Sequence, residues 1–337
     1  MHKLEVVNRS CIDDNLFTKD NEIFISKSPF SAFENIEADE LVFRGKKTFV
    51  NVERIMLQVQ MGYIKIKDGD TIDLEILKAL NELEFATSRM VTVYLNLKGI
   101  DVHQKQISKR LRYLNNQRVL SSYEFKSKDQ DGNERISPVP IFYLDTIASV
   151  LLRSQDIPSR FDLETALRSK DGIKETLARN QLMLIYWTKI TNIEYSKNNP
   201  SYNLRDGSML EPHLQVVLDY EQKNHHMFFE VVRSFEGWEN KLLNRLDKYT
   251  LFYEQFSPSK TIPFAPLFVF LAEDDVHAVS TMKLILNNDI VFKNQEFIFT
   301  TDTRILGDSF SKSLFRFTLE GNVAHLTTVT NSLFVLD

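Results

Sequence analysis

Two short segments in the C-terminal half place acids where they could do phosphate chemistry. Glu211-Pro212-His213 precedes the apolar run Leu214–Leu218, and Glu230 lies inside Phe228-Phe229-Glu230-Val231-Val232-Arg233. Both runs read as strands, with a polar turn at Glu221–Asn224 between them, and a long amphipathic helix over Glu236–Gln255 follows. Two acidic groups at neighbouring strand ends can hold Mg2+ or Mn2+, hard ions that prefer oxygen, beside a scissile phosphate. A nearby cation then positions water or steadies the charge of the transition state. Glu211, Glu230 and His213 are the candidate metal ligands, and Lys241 or Arg233 the candidate cation. Side chains alternate along a strand, so Glu230 shares its face with Val232, and Arg233 should point to the other. A lysine from the following helix could replace it: Lys241, Asn244, Arg245 and Lys248 form a polar stripe opposite Leu242, Leu246, Tyr249 and Tyr253, the expected buried side. The plainer readings are a surface acid at Glu230, a hydrogen-bonded structural histidine at His213 and a solvated pair at His225-His226.

The elements upstream are three helices and a hairpin. Leu74, Leu77, Leu80 and Leu83 recur at helical spacing and predict a helix over Asp73–Leu83. Thr87 or Ser88 can cap a second helix running to Leu97, which Lys98-Gly99 closes through a left-handed glycine. A third helix is expected over His103–Gln117, with Ile107, Leu111 and Leu114 inward. Val119-Leu120 then starts a strand, Lys126–Glu134 forms a hairpin tip, and Ile141–Leu144 returns. Three helices and a hairpin make a winged helix-turn-helix over residues 72–145, in which the third helix enters the major groove of double-stranded DNA and the hairpin touches the backbone. From Lys98 to Lys128 there are eight Lys and Arg against two Asp and Glu, +6 locally, in a chain of net charge −5. Such local enrichment is what phosphate contact requires. Gln104, Ser108 and Arg112 step by four residues with Lys105 and Lys109 alongside. Gln, Ser and Arg can read base edges, whereas Lys mostly meets phosphate. With Arg118, Lys126 and Lys128 these are the candidate DNA-binding residues.

The order of winged helix, helical connector, proline-acid strand, acid-bearing strand and long helix resembles the replication-relaxation family, which overlaps the MOBC class of plasmid and conjugative-element relaxases. The resemblance covers roughly residues 72–300. It implies a restriction-endonuclease-like C-terminal domain of the PD-(D/E)xK kind and Mg2+-dependent nicking. It also implies a place in plasmid mobilisation or replication, alongside other relaxosome or transfer proteins. Two departures stand against the family pattern. The acid after the proline is replaced, since Pro212 is followed by His213, with Glu211 before it. The second acid is matched by Glu230, but Val232 stands where the lysine belongs.

The remaining features bound the answer. A single cysteine, Cys11, excludes an internal disulfide framework and a Cys-based zinc site, and it fits a reducing cytoplasm. The first residues lack the apolar stretch of a signal peptide, and no run is long and apolar enough for a membrane span. There is no Walker A sequence, no GxGxxG, no HExxH and no GxSxG. The fold expectation is an α+β or α/β multidomain chain. It has an N-terminal arm or small α+β extension (1–70), a winged helix domain (71–150), and a helical connector with a mixed-sheet nuclease-like domain (151–337). The functional expectation is a cytoplasmic, site-specific DNA-binding protein of a bacterial mobile element. Its nicking activity is left open. The alternative is a non-catalytic regulator or relaxosome accessory factor. The sequence leaves the oligomeric state, the target site and the role of residues 1–70 undetermined.

Overall fold

The computed structural model describes residues 40–43, 52–66, 71–128, 134–136, 140–162, 167–293, 295–307, 310–320, 323–329 and 333–336. The protein is a mixed α+β chain with two compact units, one spanning Ala32–Leu184 and the other including Ile185–Asp337.

In the first unit, α2 (Ile72–Leu83), α3 (Ser88–Leu97) and α4 (Gln104–Asn116) close around one apolar centre. Their bounds follow the helical spacing of the sequence to within one residue. Thr87 caps α3 by accepting from the Met90 N–H at 3.3 Å. Gly99, at φ 78°, stops it, with its N–H on the Asn96 carbonyl at 2.9 Å. Leu77, Leu80, Met90, Val91, Leu95, Ile107, Leu111 and Leu114 are all fully buried. A sheet flanks these helices. β2 (Phe85–Ala86) pairs with β5 (Ile141–Leu144), β5 with β3 (Leu120–Lys128), and β1 (Glu40–Phe43) covers the outer side of β3. β4 (Glu134–Ile136) continues the hairpin, opposing Lys126–Lys128. All these pairings are antiparallel. Tyr123 and Tyr143 stack on the sheet at 5.1 Å, and Phe85 packs against both at a tilt.

The segment before residue 70, the least legible in the sequence, is tied to the three helices. α1 (Val52–Gln60) reaches the end of α4 through Gln58, whose amide donates to Gln117 at 2.8 Å. The fully buried Asp73 carboxylate accepts from the Lys65 N–H (2.8 Å) and from Nε and Nη2 of Arg110 on α4. The same Nη2 donates to the Tyr63 carbonyl at 3.0 Å. Residues 145–184 also lie in this unit. α5 (Thr146–Arg153) starts on an Asp145 cap, and α6 (Lys170–Lys189) contributes its residues up to Leu184. Asp171-Gly172 lies in the first turn of α6, where glycine costs little. A Cβ at Gly172 would come within 2.7 Å of Arg168 Cγ. Asn180 on α6 donates to the Leu83 and Phe85 carbonyls at 2.6 and 2.9 Å and so fixes the turn between α2 and β2.

The second unit is built on a seven-stranded sheet of order β14-β13-β12-β11-β10-β9-β6. β6 (Ile193–Asn198), β9 (Leu214–Tyr220) and β10 (Lys223–Val231) form an antiparallel meander. The β9–β10 hairpin turns at Glu221 and Gln222, with φ 52° and 60°, the paired left-handed residues of a tight two-residue turn. β7 (Tyr202–Asn203) and β8 (Met209–Leu210) make a small separate ribbon. α7 (Trp238–Gln255) carries the chain to β11 (Leu267–Ala272), parallel to β10, and α8 (Asp275–Asn287) carries it to β12 (Ile298–Thr301), parallel to β11. A short α9 (Asp302–Leu306) follows, then the antiparallel hairpin β13 (Phe315–Glu320) and β14 (Val323–Thr328). The two strands and the long helix expected over 214–255 thus continue into a β-β-α-β-α-β series, and the tail adds edge strands. β6 was not expected, because Ile-Glu-Tyr-Ser-Lys-Asn on the sheet's edge is mostly solvated and lacks an apolar alternation. One sheet face carries Phe228, Val232, Phe268, Phe270 and Phe299 against Leu242, Leu246, Tyr249 and Tyr253 of α7. On the other, Tyr186 meets Phe229 edge-on at 5.3 Å.

Asp73→Ala should cost about 3 kcal/mol in urea unfolding, since it strands the half-buried Arg110 guanidinium without its carboxylate. A loss below about 1 kcal/mol would mean that this pair does not secure the N-terminal segment.

Candidate functional site

α4 divides cleanly into two faces. Ile107, Leu111 and Leu114 are buried, whereas Gln104, Lys105, Lys109 and Arg112 are exposed and Ser108 is half-buried. The four-residue steps of the sequence thus become one solvent-facing surface bearing three cations. Two residues of the basic count behave differently. Arg110 turns inward to Asp73, so it adds nothing to that surface. Arg118, half-buried, ends α4 with φ 63°. Lys126 and Lys128 lie on β3, opposite β4 and on the strand that leaves α4; their side chains fall outside the described residues.

The acidic constellation of the second unit also assembles, with different partners from those expected. Glu230 is 1% exposed on β10 and faces α7. Arg245 Nε donates to Glu230 Oε1 in a very short contact, and Arg245 Nη2 donates to Oε2 at 2.8 Å. The Tyr249 hydroxyl, one turn further along α7, donates to Oε2 at 3.0 Å. Arg245 Nη2 also donates to the Glu211 main-chain carbonyl at 2.8 Å. The basic residue that meets Glu230 is therefore Arg245. Lys241 stands over the Phe235 ring at 5.1 Å, and Lys248 donates to the Met209 carbonyl at 3.1 Å. Glu211 contributes a carbonyl, its side chain being exposed.

His213 Nδ1 lies 3.3 Å from Glu230 Oε1 and 3.1 Å from the Val231 N–H. A main-chain N–H can only donate, so Nδ1 accepts from Val231 and has no proton for Glu230. The 3.3 Å approach is a close contact, tolerated because Arg245 donates to the same oxygen. Burial alone would raise the Glu230 carboxyl, yet the Arg245 guanidinium outweighs it and holds the group down at about 2. The residues present do not fit a divalent ion: both Glu230 oxygens are engaged by donors, and the Nδ1 lone pair of His213 is used by the backbone. Among the described residues, no group of three or more His, Cys, Asp or Glu side chains is placed to hold a metal.

No protein-family model and no curated protein matches the chain. Among solved structures it is similar to protein VC1899 from Vibrio cholerae, at 11% identity and a TM-score of 0.26, over 78% of this chain and 56% of that one. The chain thus spans about half the length of that protein. No helix among the described residues is long and apolar enough to cross a membrane.

Arg233 points away from Glu230, as strand alternation requires. It is buried, and its Nη2 donates to Asp302 Oδ1 at 2.7 Å, just past the end of β12. Glu273, past the end of β11, accepts from the Ser234 N–H at 3.0 Å. Burial pushes the Asp302 carboxyl up to about 6, against the pull of Arg233. The sequence assigned Arg233 no such partner, because Asp302 lies 69 residues away. The sequence places Arg245 on a stripe opposite Tyr249; the structure corrects this, since the two are four apart on α7 and both reach Glu230 from one side of that helix.

These shifts carry opposite signs in acid. Glu230 is held below its ordinary value, so its stabilisation is present above about 4.5 and is lost as pH falls towards 2. Asp302 is raised, so its contribution is full below about 3.8 and is lost as pH rises through 6. Comparing wild type with Glu230→Gln at each pH cancels the Asp302 effect. The difference in unfolding free energy between the two should shrink by on the order of 3 kcal/mol from pH 5 to pH 2. Parallel pH profiles would show that Arg245 does not hold Glu230 ionised.

Proposed function

We propose that the chain binds duplex DNA, with residues 72–144 acting as a winged helix and α4 as the helix that enters the major groove. The observation that carries this reading is the division of α4: three apolar residues inward, and Gln104, Lys105, Lys109 and Arg112 outward on one surface. The order of three helices and an antiparallel hairpin, with β2 paired to β5, supports it. Lys105 and Lys109 meet phosphates, and Gln104, Ser108 and Arg112 meet base edges. Lys126 and Lys128 on the hairpin supply backbone contact beside them.

The second unit we read as a nuclease-like fold that does not cut. Support comes from the meander of β6, β9 and β10 followed by α7 and a parallel β11, with Glu230 on the strand where the replication-relaxation resemblance puts its second acid. That carboxylate is held by Arg245 and Tyr249, and no lysine follows it two residues on. The combination favours the non-catalytic alternative: a DNA-binding regulator or accessory factor, working with the proteins that process plasmid or conjugative-element DNA.

Fluorescence anisotropy of the full chain on a labelled duplex, over a series of salt concentrations, tests this. Wild-type affinity should fall steeply with salt as counterions are released. Replacing Lys105, Lys109 and Arg112 with alanine should weaken binding at least about tenfold and reduce the log–log salt slope by roughly 2 to 3. Equal affinity and slope in wild type and triple variant would remove α4 from the interface.

A further inference from the structure

We propose that the Arg245 guanidinium occupies the position a divalent cation would take in the second unit, so that the site carries its own fixed cation. Three oxygens converge on this one side chain: both carboxylate oxygens of Glu230 and the main-chain carbonyl of Glu211. A carboxylate with a carbonyl beside it is the hard-oxygen environment that Mg2+ and Mn2+ choose. Here the positive charge is covalent, delivered from α7 by a side chain that is itself only one-quarter exposed. Stability alone is a weak reason for the arrangement, because well-packed apolar residues of similar volume often do as well as a buried ion pair. Delivering a cation to these oxygens does explain it. Tyr249 completes the enclosure by donating to Glu230 Oε2 at 3.0 Å. The site is therefore self-neutralised, and the disagreement with a metal-dependent nuclease lies in one residue, Arg245, as much as in the lysine missing at Val232.

The inference rests on the nuclease-like reading only in its choice of a divalent ion. The anisotropy assay reads α4, so the two ideas fail separately. The test is thermal unfolding of the full chain, followed by circular dichroism, with and without millimolar MnCl2. Arg245→Ala leaves the Glu230 carboxylate buried without its cation, and Mn2+ should raise the Tm of this variant by about 5 °C. Wild type and Arg245→Lys, which keep a cation, should not respond. Neither should the double variant Glu230→Gln/Arg245→Met, which removes both charges. If Arg245→Ala is unfolded without ion, recovery of its helical signal on adding Mn2+ is the expected result, and no recovery overturns the proposal. A Tm rise in wild type that Glu230→Gln abolishes would overturn it too, since Mn2+ would then reach Glu230 with Arg245 in place. So would a folded Arg245→Ala protein indifferent to Mn2+.

Discussion

A carboxylate cannot stay ionised inside an apolar sheet–helix interface without a cation beside it. Glu230 sits in such an interface, sharing its strand face with Phe228 and Val232 beneath α7. The register of α7 on the sheet follows from that constraint. Arg245 must reach Glu230, and Tyr249, one turn on, must present its hydroxyl to the same group. With those two fixed, Leu242, Leu246 and Tyr253 fall into the aromatic core by helical spacing alone. The strand ends are drawn in as well. Arg245 holds the Glu211 carbonyl and Lys248 the Met209 carbonyl, so α7 carries the loop that leads into β9.

The first unit is governed by a comparable pair. Asp73 at the start of α2 is fully buried, and Arg110 of α4 answers it while also holding the Tyr63 carbonyl. This contact takes one arginine out of the basic surface of α4. It also sets the rotation of that helix about its axis, and hence which residues face solvent. Adjacent residues are thereby divided between the inside and the surface: Lys109 outward, Arg110 inward, Leu111 in the core, Arg112 outward.

Much of this was legible in the sequence where periodicity and end signals coincide. Leu74 to Leu83, the Thr87 cap, Gly99 and the Ile107-Leu111-Leu114 stripe give α2, α3 and α4 nearly to the residue. β5 is recovered as Ile141–Leu144 because a short apolar run bounded by polar residues has few alternatives. β6 was missed since an edge strand has little to bury. The partners of Glu230 were hidden for a different reason. Lys241, Arg245 and Lys248 look alike as a solvated stripe, and only the register of α7 over β10 decides which of them meets the acid. Arg233 shows the same limit, because its partner Asp302 is distant in sequence and adjacent only through the parallel order of β10, β11 and β12.

The central claim is that this chain holds duplex DNA without cutting it. The most direct measurement is the topology of a supercoiled plasmid incubated with enough full-length protein to shift it on a gel, in Mg2+ or Mn2+. The account predicts plasmid that is bound and, after protein removal, still supercoiled. Open-circular or linear product that appears with wild type and disappears with Glu230→Gln would contradict it.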